Sequence, residues 1–88
     1  MPDMDLLYYA SALRQLAARQ HWPEVVSATR LLIGAIESDN LPEQHTALAL
    51  LDAALAGPRP GTVQADQSAR QLHHQIVALT GAPSAAGG

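Results

Sequence analysis

The chain has 88 residues, 48% of them hydrophobic, no cysteine and a net charge of −3 from eight acids and five arginines. That length makes one domain, and the missing cysteines exclude disulfides, thiolate metal sites and cysteine nucleophiles. With no lysine and no basic cluster, the chain lacks the positive stripe that nucleic acid needs and the basic amphipathic helix that a membrane surface needs.

A chain this short buries only about 60–65% of the surface its unfolded form exposes, so a partner or a second copy would steady it. Much of its apolar content is small: 17 Ala and 13 Leu stand against four Val and three Ile. Ala and Leu form helices readily, and β-branched residues are scarce. The composition therefore predicts an all-α fold, a small antiparallel bundle of three to four helices. Unbroken apolar runs reach only four or five residues, far short of a membrane span. No basic region followed by an apolar core stands at the start, so a cytoplasmic location is expected.

In chain order, Asp3 is placed to cap a first helix over 4–19, with Asp5 in its first turn. Leu6, Tyr9, Leu13 and Leu16 draw its apolar stripe, widened by Ala10 and Ala17. Leu7 and Tyr8 fall outside the stripe, either packing on a neighbour or forming an exposed edge. A second helix is predicted over 23–37. Pro23 suits its first position, where a missing N–H costs nothing. Val25, Thr29, Leu32 and Ile36 form the stripe, and Leu31 and Ile33 widen it past half the circumference, as in a central helix. Gly34 in mid-helix costs about 1 kcal/mol relative to Ala and implies close approach of another helix. Trp22 precedes this helix and reads as a core anchor over helices 1 and 3, or alternatively as an aromatic hot spot for a partner.

The run Ser38-Asp39-Asn40 makes a turn. A third helix is predicted over 42–56, with Pro42 at its start and Glu43 in its first turn. Ala47, Leu48, Leu51, Ala54 and Leu55 make its stripe, and Leu50 sits off it. Gly57 reads as its C-terminal cap, and the linker 57–61, GPRPG, forbids helix. Thr62 should cap a fourth helix over 63–80, where Ala65, Ala69, Leu72, Ile76 and Leu79 repeat like a coiled-coil seam. Asp66 and Arg70 make an i,i+4 ion pair. Residues 83–88 read as a disordered tail. The segment 19–37 has a faint tetratricopeptide look, but no second copy of that signature follows, so no internal repeat is expected.

No chemistry stands out. His21, His45, His73 and His74 lack i,i+4 spacing, and adjacent His73 and His74 point about 100° apart, so exposed polar histidines are expected and no metal site. The acids Asp3, Asp5, Glu24, Asp39 and Glu43 sit at helix starts and loops, where capping and dipole compensation account for them. The serines form no nucleophile elbow, and GPRPG is no phosphate loop. Neither an enzyme nor a cofactor is expected.

One resemblance emerges from the layout. A tyrosine-bearing first helix runs into Leu16-Ala17-Ala18-Arg19. After two spacers come Trp22 and then Glu24-Val25-Val26. A leucine-rich helix follows, then a Leu41-Pro42-Glu43 start and a Gln-rich fourth helix. Over about residues 5–80 this resembles the flagellar export chaperones of the FliT type. The resemblance implies a cytoplasmic helical protein that binds an export substrate, the filament-capping protein in that family. It implies feedback on flagellar gene expression, a fourth helix that shields or completes the binding surface, and a hinge at GPRPG.

The expected function is thus a protein-binding helical module, an export chaperone or adaptor. The competing expectation is a self-associating module that closes as a homodimer without a client. The expected contacts are Leu31, Ile33, Leu50, Leu72, Ile76 and Leu79, lining a groove between helices 2, 3 and 4.

Overall fold

A computed structural model describes residues 3–80. Four helices follow one another: α1 (Met4–Gln20), α2 (Pro23–Glu37), α3 (Leu41–Ala56) and α4 (Val63–Thr80). There is no strand among the described residues, and the fold is an all-α bundle. The tail expected at 83–88 lies outside those residues.

The helix starts follow local chemistry. Asp3 accepts hydrogen bonds from the backbone N–H groups of Asp5 and Leu6. Asn40 accepts from Glu43 N–H, which starts α3 one residue earlier than Pro42 alone implies. Thr62 Oγ1 accepts from Ala65 N–H at 3.0 Å and starts α4. Each bond satisfies a donor that a helix start leaves unpaired. The first two connections rest on left-handed residues that are not glycine: His21 at φ 61° and Asp39 at φ 54°. Aspartate tolerates this conformation better than most residues, and both turns are short.

Packing runs α3–α2–α1–α4: α2 lies against both α1 and α3, while α4 lies along α1. The molecule measures 18 Å along its shortest axis. Leu13, Leu32, Ile36, Leu51 and Ile76 are fully buried at its centre. Thr29 is buried with them, its hydroxyl donating to Val25 and Val26 carbonyls. Leu7 packs partly buried against this core, while Tyr8 stays 69% exposed, edge-on to Tyr9 at 5.4 Å between ring centres.

One expectation is corrected. Nothing lies within 4 Å of where a Cβ on Gly34 would stand, so no helix approaches it. Gly57 caps α3 as expected, in extended backbone at φ −79° and ψ 163°. The carbonyls at the end of α3 are taken by a side chain. Arg59 Nη1 donates to the carbonyls of Ala54, Leu55 and Gly57.

Arg59 is the centre of the linker. Its side chain is only 9% exposed. Its guanidinium lies 4.8 Å from the centre of the Trp22 ring, and Nη2 pairs with Asp66 in the first turn of α4. Trp22, 3% exposed, donates its indole N–H to the Pro60 carbonyl. Gly61 adopts φ 115°, and a Cβ there would stand 2.6 Å from Gln20 Oε1. Trp22 is thus a core anchor, and part of what it anchors is the GPRPG linker.

The structure also exposes a regularity between α2 and α3. At an offset of nineteen residues, Pro23 matches Pro42, Glu24 matches Glu43, Ser27 matches Thr46 and Ala28 matches Ala47. Leu31-Leu32 matches Leu50-Leu51, and Ala35-Ile36 matches Ala54-Leu55. Burial follows the same register: Ala28, Leu32, Ala35 and Ile36 are buried, as are Ala47, Leu51, Ala54 and Leu55, while Leu31 and Leu50 are exposed in both. Because the two helices are adjacent and antiparallel, the pair has an approximate two-fold relation. No internal repeat was expected, because no second copy of the tetratricopeptide-like signature follows the segment 19–37.

Candidate functional site

The six expected contact residues do not form one groove, because α4 runs along α1 and not across α2 and α3. Ile76 is fully buried and belongs to the core. It cannot meet a partner without unfolding, which corrects its placement among the contacts. Ile33 is partly buried against the core. Relative to Leu31 it is turned by about 200° around α2, so the two leave the helix on opposite flanks. Leu79 is exposed in the last turn of α4. Leu72 lines a depression between α1 and α4 with Tyr9, Ser68, Arg70, Gln71, His74 and Gln75.

Leu31 and Leu50 do come together. They line an open depression of about 650 Å³ between α2 and α3, with Pro23, Glu24, Ser27, Ala28, Ala53 and Ala54. Leu31 is 41% and Leu50 51% exposed, so each forgoes part of the roughly 1.5–3 kcal/mol that full burial gives. Small residues form the floor, so the two leucines stand as ridges over a shallow apolar trough. Glu24 is the sole charged residue of the lining.

Sequence reasoning placed Leu31 and Leu50 but missed the trough's other members. The available signal was Pro-Glu-x6-Leu, which occurs at Pro23–Leu31 and again at Pro42–Leu50. In each helix the glutamate stands seven residues before the leucine, two turns away on the same stripe.

Elsewhere the polar groups serve structure. Asp66 is held below the usual carboxylate range chiefly by its hydrogen bond to Arg70, with burial opposing and Arg59 adding to the effect. Its Oδ2 accepts from Arg70 Nε at 2.9 Å, the i,i+4 pair. His73 on α4 is pushed below the ordinary imidazole value by burial, assisted by Arg70 and His74 and opposed by Asp52 of α3. Among the described residues no three His, Asp or Glu side chains are grouped to hold a metal ion, and no helix is long and apolar enough to cross a membrane.

No protein family, curated protein or solved structure matches this chain.

Proposed function

We propose that this chain is a small protein-binding helical module, a chaperone or adaptor that holds a segment of another protein on the α2–α3 face. The observation that carries the reading is the exposed pair Leu31 and Leu50 over an apolar trough of small residues. An apolar patch that none of the described residues covers is what a protein contact site requires. Catalysis would need convergent acid, base or nucleophilic groups, and the trough offers one carboxylate among aliphatic and small residues.

The FliT-type reading makes the client an export substrate and puts the protein in the cytoplasm. Its support is the residue pattern around Trp22 and the four-helix layout. A homodimer through the same face is the competing reading, favoured by the same two leucines.

The test uses two baits in a native lysate of cells that make the protein: the full chain, and the full chain with Leu31→Asp and Leu50→Asp. Both leucines are exposed, so the variant should keep its helix content and melting temperature. The reading expects one client enriched on the unaltered chain and lost on the variant. Identical capture by both baits would reject the face. Sedimentation of each bait alone decides the competing reading, since a dimer dissolved by the two substitutions makes a second copy the occupant.

A further inference from the structure

The α2–α3 face has a charge layout that its apolar trough does not explain. Glu24 is two turns before Leu31, and Glu43 is two turns before Leu50. Because the helices are antiparallel, the two acids lie at opposite ends of the face. The stripes between them, Ser27, Ala28, Leu31, Gly34 and Ala35 on α2 and Thr46, Ala47, Leu50, Ala53 and Ala54 on α3, hold no cation. Arg30 flanks the α2 stripe, three residues on from Ser27 and about 100° from Leu31. The helix dipole favours an acid in the first turn of each helix. It does not dictate that the acid share a stripe with an exposed leucine in both.

From this we infer that the occupant of the face is an amphipathic helix carrying a basic residue near each end of a short apolar stripe. The inference rests on the proposed protein-binding role. Charge complementarity selects this occupant over a second copy. A two-fold dimer through the face would set glutamates against glutamates or against neutral stripe positions, with a cation on neither stripe, and like charges placed opposite each other are unfavourable.

The geometry also sets the spacing. The turn at 38–40 brings Glu24 level with about residue 54 and Glu43 level with about residue 35, so the acids stand roughly 16 Å apart along the face, about eleven helical residues. Eleven residues make three turns, which returns a side chain to the same side of a helix. The trough beside Glu24 and the neutral stripe positions that continue from Leu31 and Leu50 toward Glu43 take the partner's aliphatic residues. The pattern that fits is Lys-x3-Leu-x2-Leu-x3-Lys, with arginine acceptable at either end. Since the face has near two-fold symmetry, such a helix meets the same groups in either direction.

The test is a titration of the full chain with fluorescent peptides on an alanine-rich helical background, read by anisotropy. One peptide carries Lys-x3-Leu-x2-Leu-x3-Lys and the other has both lysines replaced by glutamate. The lysine peptide should bind at least tenfold tighter, and its affinity should fall as salt is raised. Replacing Glu24→Lys and Glu43→Lys should reverse the preference, while the milder Glu24→Gln and Glu43→Gln should abolish it without burdening the helix starts. Leu31→Asp with Leu50→Asp should remove binding of both peptides. Equal binding of the two peptides, or an unchanged preference after Glu24→Gln and Glu43→Gln, overturns the basic-helix inference but leaves the binding face standing if the leucine variant still fails to bind. No binding of either peptide overturns the inference, and the lysate comparison then decides the face on its own.

Discussion

Arg59→Ala is the substitution that most directly probes what fixes α4 in place. The guanidinium donates to three carbonyls at the end of α3, stacks on Trp22 and pairs with Asp66. Hydrogen bonds from a charged donor contribute roughly 1.5–3 kcal/mol net. The end of α3 is partly open to water, so the three carbonyls together are worth about one such bond. The largely desolvated contact with the indole adds about 0.5–2 kcal/mol. Asp66 keeps Arg70 and adds little. The expected loss is therefore about 2–5 kcal/mol, against a total stability of roughly 4–13 kcal/mol for a chain of this length. Urea unfolding followed by circular dichroism measures it. The m-value should be unchanged, and tryptophan fluorescence should report the same midpoint. Arg59→Lys should recover only part of the loss, because an ammonium cannot present the planar fork. If Arg59→Ala unfolds within about 0.5 kcal/mol of the unaltered chain, Arg59 is a surface ornament and the linker is not locked by it.

Three further outcomes follow from single residues. Gly34→Ala should stabilise the protein by about 0.5–1 kcal/mol in the same assay, because the new methyl meets nothing and the unfolded chain loses freedom. Gly61→Ala should destabilise it by about 1–3 kcal/mol, since φ 115° strains an L side chain and Gln20 occupies the space. The folded state lowers the affinity of His73 for protons, while the unfolded chain binds one near the ordinary value of 6.5. Stability from this group is therefore complete above 6.5 and is lost as pH falls from there through the lower folded-state value. Melting temperatures across that window should fall for the unaltered chain and fall less for His73→Gln.

Much of the fold was legible because helix boundaries are written in local chemistry. Asp3, Pro23, Pro42 and Thr62 marked starts within one residue, and the apolar stripes named most of the core. Arg59 was not legible. A proline-glycine run signals a break, and nothing in its periodicity tells that the arginine within it folds back to cap α3. Gly34 was misread for a related reason: a mid-helix glycine implies close packing only when a neighbour is there, and partner choice among helices is a tertiary matter. The same limit placed Ile76 on a binding edge. Its spacing marked it as apolar seam, but only the packing of α4 on α1 shows that the seam is filled. The likeness of α2 and α3 was present in the residues all along. It became visible once burial showed that the sparse matches share one register.

The central claim is that the α2–α3 face is the contact surface, and site-specific photo-crosslinking tests it most directly. A photoreactive residue would replace Ser27, which lines the trough, and in a second protein Gln67, which is exposed on α4 and lines no part of the trough. Both would be illuminated in lysate of cells that make the protein. A discrete crosslinked species is expected from position 27 and little from position 67. Equal crosslinking from both positions, or a product from position 67 alone, would contradict the assignment of the face.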